Sequence, residues 1–177
     1  MRLFVGLDLP WETRQRLAMM GGGIPGARWV PIANFHLTLR FIGEMPAHRA
    51  EDIDLALASL QARRFTLELA GVGTFRKGGR DTQLWVGVAR NAQLQHLAGK
   101  IETALQRAGL EPERRRFTPH VTLARLDNCT VEKLAGFVQA HNLFRAAPIE
   151  VSHFTLFSSL LGKEASVYTP ELAYPLD

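Results

Sequence analysis

A motif repeated at a fixed spacing is the feature that most limits what this chain can fold into. His36-Leu37-Thr38-Leu39 and His120-Val121-Thr122-Leu123 lie 84 residues apart, each in a run that alternates apolar and polar residues. Such alternation predicts a strand with one buried face. The elements around the two motifs also recur, since each half reads strand, helix, motif strand, helix, strand. The sequence therefore predicts two equivalent units about a pseudo-twofold axis, with the motif strands near its centre.

The flanking patterns predict seven strands and four helices. The strands are expected over residues 2–9, 34–43, 65–75, 83–88, 117–125, 149–157 and 167–174, and the helices over 11–20, 46–61, 91–109 and 131–140. Leu94, Leu97, Ile101 and Leu105 share one face of the third helix, as in a helix packed on a core. We expect an α+β fold in one domain, with pseudo-symmetric lobes near 1–77 and 78–177 that exchange strands.

Composition excludes several other classes of protein. The 177 residues are 46% hydrophobic and 21% charged, which is too apolar and too balanced for a disordered chain. The single cysteine, Cys129, cannot form an internal disulfide, and no apolar run is long enough to span a membrane. The first ten residues do not resemble a signal peptide. These features predict a cytoplasmic monomer with no membrane partner.

Arginine outnumbers lysine seventeen to four. This bias is compatible with phosphate binding or with nothing more than a GC-rich genome.

The repeated motif suggests acid–base chemistry. Residues i and i+2 of a strand point to one face, so each motif places an imidazole and a hydroxyl about 7 Å apart along it. One neutral and one charged imidazole can accept and donate protons near pH 7, and hydroxyls can donate hydrogen bonds to phosphate oxygens. A zinc site would need three or four ligands, whereas no carboxylate lies within two residues of either histidine. We therefore predict catalysis without a metal or cofactor.

The chain resembles the two-histidine (2H) phosphoesterase superfamily, within it the RNA 2',3'-cyclic phosphodiesterases that are also called 2'-5' RNA ligases. The resemblance is carried by Asn34–Glu44 and Phe117–Arg125, with support from the N-terminal strand and from Tyr168. It implies a bilobal α+β fold in which two antiparallel sheets form a V-shaped central groove. It also implies hydrolysis of RNA 2',3'-cyclic phosphate ends to a 2'-phosphate, and reversible 2'-5' joining in some members. By that similarity His36 is the proton donor and His120 is the base.

Further residues are candidates for contacts with the substrate. Thr38 and Thr122 are assigned to the phosphate, and the resemblance adds Arg125. Strict alternation would turn Arg125 away from His120, so its role requires a bulge or strand end after Leu123. The same alternation places Arg40 on the face of His36, as a candidate for substrate binding or a rim residue. Phe117 and Tyr168 are further candidates, for stacking on a terminal base.

The sequence is compatible with three functions. The first is a cyclic phosphodiesterase for RNA ends, with tRNA-derived ends among the candidate substrates. The second keeps the fold and acts on small cyclic nucleotides or 2'-5' oligonucleotides. The third is a non-catalytic RNA-binding module, which would not require two imidazoles.

Overall fold

The structure, a computed structural model, describes residues 1–177. It contains ten strands, four α-helices and one 3-10 turn. The strands are Arg2–Asp8 (β1), Ala27–Trp29 (β2), His36–Glu44 (β3), Phe65–Leu67 (β4), Leu69–Lys77 (β5), Arg80–Val88 (β6), His120–Leu126 (β7), Ile149–Val151 (β8), His153–Leu161 (β9) and Ser166–Pro175 (β10). The helices are Trp11–Met19 (α1), Ala47–Ala58 (α2), Ala92–Arg107 (α3) and Val131–His141 (α4), and the 3-10 turn is Ile32–Asn34. The predicted α+β class is confirmed.

All strand pairs are antiparallel. The main sheet has the order β10-β9-β1-β3-β7-β6-β5, with β2 also paired to β7, while β4 and β8 form a separate two-stranded sheet. The motif strands β3 and β7 are joined by one residue pair, Leu37 with Val121. Because no other pair joins these strands, they diverge on either side of it and open a groove between the two parts of the main sheet.

Each part of the main sheet contains strands from both halves of the chain. β1, from the first half, pairs with β9, which in turn pairs with β10 near the C-terminus. β5, also from the first half, pairs with β6 of the second half. The motif strands β3 and β7 therefore lie at the centre of the main sheet, between β1 on one side and β6 on the other.

The helices bury the predicted apolar faces. Leu94, Leu97, Ile101 and Leu105 of α3 are fully buried, and the Asn91 side chain caps this helix by accepting a hydrogen bond from the Leu94 N–H (3.0 Å). α3 packs against α2 and β3. No helix is both long and apolar enough to cross a membrane.

Two predicted strands are divided in the structure. The chain leaves the strand at Glu68 and at Ser152, which are again 84 positions apart, because β4 and β8 pair with each other rather than with the main sheet. The strand β2 was not predicted from the sequence. It is only three residues long and follows a glycine-rich loop.

Candidate active site

The single pair between β3 and β7 places the four motif side chains on one face. Leu37 and Val121 are directly opposite each other and fully buried, so both point into the core. Their sequence neighbours on each strand must point the other way, into the groove. His36, Thr38, His120 and Thr122 are all partly buried, as expected for side chains that line a groove.

The two imidazoles are oriented in the same manner. His36 Nδ1 lies 2.7 Å from the Asn34 carbonyl oxygen, and His120 Nδ1 lies 2.7 Å from the Thr118 carbonyl oxygen. A carbonyl only accepts hydrogen bonds, so Nδ1 carries a proton in both residues. Each neutral ring therefore presents an unprotonated Nε2, and each charged ring presents an Nε2–H, at the position where proton transfer would take place.

The two threonine hydroxyls have different partners. Thr38 Oγ1 lies 2.9 Å from His36 Nε2. Thr122 Oγ1 accepts a hydrogen bond from Gln83 Nε2 (2.7 Å), which leaves the hydroxyl hydrogen of Thr122 free to donate elsewhere. Gln83 was not predicted as a site residue, because it reaches Thr122 from the neighbouring strand β6.

Burial lowers the pKa of both imidazoles. For His36, burial is the largest cause, the Asn34 carbonyl acts in the opposite direction, and the charge of His120 lowers the pKa further. Asp8 acts on the pKa of His36 in the opposite sense and raises it. For His120, burial lowers the pKa and the Thr118 carbonyl partly offsets it. Burial therefore favours the neutral form of both rings, and the repulsion between them further disfavours a state in which both are charged.

Asp8 is the carboxylate nearest the motifs in the strand pairing. The β1–β3 register makes it the direct partner of His36; its carboxylate forms an ion pair of 3.7 Å with Arg14 and lies 3.7 Å from His153 Nε2. No group of three or more His, Cys, Asp or Glu side chains is arranged to hold a metal ion. No local sequence pattern predicts this pairing, because Asp8 and His36 are 28 positions apart.

Aromatic rings surround both histidines. Phe4 lies 4.9 Å from His36 between ring centroids, and Tyr168 meets His36 edge-on at 5.1 Å. Phe75 meets His120 edge-on at 4.8 Å. Tyr168 is thus beside the site, as the sequence suggested, whereas Phe117 packs against the hydrophobic core. Phe75 was missed because β5 carries it to the groove from another part of the chain.

A bulge in β7 brings Arg125 to the groove. Trp85 pairs with Thr122 but Leu84 pairs with Ala124, so β7 contains one extra residue at Leu123. Leu123 and Ala124 are both buried, and Arg125 is exposed. Of the two conditions that would bring Arg125 to this face, a bulge or a strand end after Leu123, the register shows a bulge, and Arg125 shares the face of Thr122. Its contact with substrate stays a prediction.

An equivalent bulge in β3 corrects the predicted position of Arg40. Val5 pairs with Arg40 but Gly6 pairs with Thr38, so the extra residue is Leu39. The prediction that Arg40 shares the groove face of His36 is therefore wrong. Arg40 points to the opposite face and is 9% exposed, while Phe41 is 55% exposed.

The buried Arg40 has a full set of protein partners. Its Nε donates to Glu102 (2.6 Å) and its Nη2 donates to the Glu111 carbonyl (2.6 Å). The guanidinium holds the pKa of Glu102 down, at about 2. Arg40 therefore connects β3 to α3 and to the loop before β7, rather than lining the groove.

A large cavity lies away from the motif histidines. It measures about 1050 Å³ and is formed between α2 and α3, with Lys100 and Arg107 among its lining residues. Its size does not make it the reaction site, because none of the groups able to transfer protons in the motifs lines it. The groove between β3 and β7 is the site that the chemistry indicates.

Two imidazoles and two hydroxyls on equivalent strands of a duplicated α+β fold define a two-histidine phosphoesterase site. A family model described as LigT like phosphoesterase matches this chain twice, over residues 7–85 and 86–168. The chain belongs to this family.

Individual relatives resemble the chain over most of its length. It is 35% identical to an Aeropyrum pernix protein named RNA 2',3'-cyclic phosphodiesterase. The 158 aligned residues cover 88% of this chain and 89% of that protein. It is 29% identical over 174 residues to an Escherichia coli protein of the same name, with 96% and 93% covered. The crystal structure of E. coli LigT complexed with 3'-AMP superimposes with a TM-score of 0.80 at 26% identity, over 99% of this chain and 97% of that one.

Proposed function

We propose that this protein hydrolyses RNA 2',3'-cyclic phosphate ends to 2'-phosphomonoesters without a metal ion, with His36 as proton donor and His120 as proton acceptor. One observation carries the proposal: both imidazoles are fixed through Nδ1 by a backbone carbonyl, and both lie on one groove face. The names of the relatives support the substrate class.

The proposed step transfers one proton at each histidine. His120 Nε2 accepts a proton from water as the water oxygen forms a bond to phosphorus. The bond between phosphorus and O3' breaks, and His36 Nε2–H donates its proton to O3'. The products are a 2'-phosphate and a free 3'-hydroxyl. The assignment of His36 as the acid rests on the resemblance to the family; Asp8 acts in its favour by raising the pKa of His36, while burial lowers that pKa by more.

The remaining groups stabilise and orient the phosphate. Thr38 and Thr122 donate hydrogen bonds to its non-bridging oxygens, and Arg125 contributes positive charge on the same face. Tyr168, beside His36, offers a surface on which a terminal base can stack. If an RNA 5'-hydroxyl replaces water, the same proton transfers give a 2'-5' linkage, and the reverse reaction cleaves it. We propose that the enzyme acts as a cytoplasmic monomer on RNA ends, including those derived from tRNA.

The test is product analysis on an RNA of defined sequence that ends in a 2',3'-cyclic phosphate, in buffer that contains EDTA. We expect complete conversion to the 2'-phosphate. Replacing His36 or His120 by Asn removes a proton-transfer group, and should lower kcat/KM by about 10²- to 10⁴-fold. The matched control is His48→Asn, because His48 is an exposed histidine on α2.

Each alternative predicts a different result. A 3'-phosphate product, or no turnover in EDTA, would contradict the proposal. A non-catalytic RNA-binding module would bind RNA in a salt-dependent way without turnover, and binding would survive both histidine substitutions. Turnover of a cyclic mononucleotide but not of RNA would indicate a phosphodiesterase for small nucleotides.

A further inference from the structure

Two arginines lie directly opposite each other at the edge of the groove. In the β2–β7 pairing, Arg28 is the direct partner of Arg125. Both residues are exposed. Neither guanidinium takes part in any of the eight salt bridges of the molecule. This is a pair of adjacent positive charges without a protein counter-charge.

The pair faces the groove. Residues directly opposite in an antiparallel pairing point to the same side of the sheet. Gln83, which is the β6 partner of Arg125, donates to Thr122 Oγ1, so Gln83, Thr122 and Arg125 share one face. Arg28 lies on that face too, because its neighbour Trp29 packs against the core on the other side.

Like charges directly opposite on neighbouring strands destabilise a sheet. An anion bound between them removes this repulsion, and guanidinium groups suit phosphate because they donate paired hydrogen bonds in a fixed plane. The pair also lies at a distance from the reaction centre. Arg125 and Thr122 pair with Gln83 and Trp85, which are two positions apart on β6, so the bulge leaves the two residues about 7 Å apart along the strand.

We propose that Arg28 forms a second phosphate site that binds the phosphodiester on the 5' side of the terminal nucleotide, with Arg125 placed between this phosphate and the reacting one. The proposal rests on the function proposed above and specifies its substrate class. The preferred substrate is an oligonucleotide of at least two residues with a terminal cyclic phosphate. A cyclic mononucleotide has no phosphate for this site.

The test compares three substrates with the same terminal nucleotide: cytidine 2',3'-cyclic phosphate, the dinucleotide that ends in the same cyclic phosphate, and that dinucleotide with an uncharged methylphosphonate linkage. The measured quantity is the preference, defined as kcat/KM for the charged dinucleotide divided by kcat/KM for the mononucleotide. We expect wild type to prefer the charged dinucleotide and Arg28→Gln to lower this preference about tenfold, as for loss of one charge-assisted contact. The methylphosphonate should behave as the mononucleotide does.

Arg107→Gln is the matched control, since Arg107 is an exposed arginine on α3, in the cavity between α2 and α3. It should leave all rates unchanged. The slope of log affinity against log salt for the charged dinucleotide should fall in magnitude by about 0.7 in Arg28→Gln, the value for one phosphate contact to a single strand.

Different failures overturn different proposals. Equal use of mononucleotide and dinucleotide by wild type, or an unchanged preference in Arg28→Gln, would overturn the second phosphate site while hydrolysis stands. If wild type hydrolyses none of the substrates, the proposed function fails. In that case the second phosphate site is tested by binding alone, with a fluorescent dinucleotide that ends in a 2'-phosphate and anisotropy as the readout. A Kd that is unchanged in Arg28→Gln would overturn the site.

Discussion

The hydrogen bond from Gln83 to Thr122 predicts how two substitutions at one position should differ. In the wild type, the amide of Gln83 donates to Thr122 Oγ1 at 2.7 Å. The hydroxyl hydrogen of Thr122 is then free to donate to a phosphate oxygen. Gln83→Leu removes the donor, whereas Gln83→Glu replaces it by an ionised carboxylate that can only accept. In Gln83→Glu the hydroxyl hydrogen must turn away from the phosphate.

The magnitudes follow from the kinds of hydrogen bond that are lost. In Gln83→Leu the hydroxyl keeps its hydrogen but loses its orientation, at about 1 kcal/mol, which is about fivefold in kcat/KM. In Gln83→Glu the contact to a charged phosphate is lost as well. Such contacts contribute about 1.5–3 kcal/mol, or about 10- to 150-fold. The expected order of activity is wild type, then Gln83→Leu, then Gln83→Glu.

The assay is kcat/KM on a cyclic mononucleotide, which lacks the second phosphate. Thr122→Val and the double variant Thr122→Val/Gln83→Leu complete a thermodynamic cycle. If Gln83 acts through Thr122, the double variant should be as active as Thr122→Val alone. Gln93, which is exposed on α3, provides matched controls as Gln93→Leu and Gln93→Glu. Thermal unfolding of each variant separates activity from stability.

Two results would refute this reasoning. Activity of Gln83→Glu equal to or above that of Gln83→Leu would mean that the hydroxyl hydrogen of Thr122 does not contact the phosphate. Additive losses in the double variant would mean that Gln83 acts independently of Thr122.

Three further predictions concern titration, the buried ion pair and the close approach of β1 to β3. Burial lowers the pKa of both motif histidines below 6.5, so kcat/KM should peak below pH 6.5. At higher pH the histidine that acts as the acid loses its proton and kcat/KM should fall. A plateau of kcat/KM that extends past pH 8 would contradict this prediction. Glu102→Gln removes the carboxylate from buried Arg40 and should cost about 2 kcal/mol in urea unfolding. Because the folded pKa of Glu102 is about 2, the stabilisation by this carboxylate should be present above pH 4.5 and lost as pH falls towards 2; a variant as stable as wild type at pH 7 would show that the pair contributes nothing. Gly6→Ala would place a methyl group 2.9 Å from the Leu37 carbonyl oxygen and should reduce both stability and activity. Gly99→Ala, in open space on α3, should instead gain about 0.5–1 kcal/mol, and equal unfolding midpoints for the two variants would refute the crowding argument.

The sequence was sufficient to predict the motif strands and the face that they share. Alternation around His36 and His120 identifies two half-buried strands, and their spacing identifies the duplication. The role expected of Arg125 requires a bulge or a strand end after Leu123, and the pairing with β6 shows a bulge at Leu123. These features depend on local periodicity, which a single sequence displays directly.

The position of Arg40 shows where this reasoning fails. Leu39, Arg40 and Phe41 read as continued alternation, yet a bulge at Leu39 buries the arginine and exposes the phenylalanine. A bulge is fixed by the partner strand, and a buried guanidinium needs a partner such as Glu102, which lies 62 residues away. Neither condition is visible in the segment itself.

The contacts of Asp8, Gln83 and Phe75 have the same origin. Asp8 and Gln83 lie on strands that pair with a motif strand, and Phe75 lies on β5, one strand beyond β6, so the role of each depends on strand order and register. No distinctive local pattern surrounds these three residues. Periodicity therefore identified the two motifs, but not the side chains that orient them and shift their pKa values.

The equivalent bulges give the duplicated groove a direction. Phe41 and Arg125 occupy corresponding positions after the two motifs, and their strand partners are Phe4 and Gln83. One end of the groove is aromatic and the other is cationic. A fully symmetric site would accept an RNA end in either of two opposite orientations, with acid and base exchanged. The unlike ends make these orientations unequal in energy, so in the proposed reaction the 5'-to-3' polarity of the RNA would determine which histidine meets the leaving oxygen.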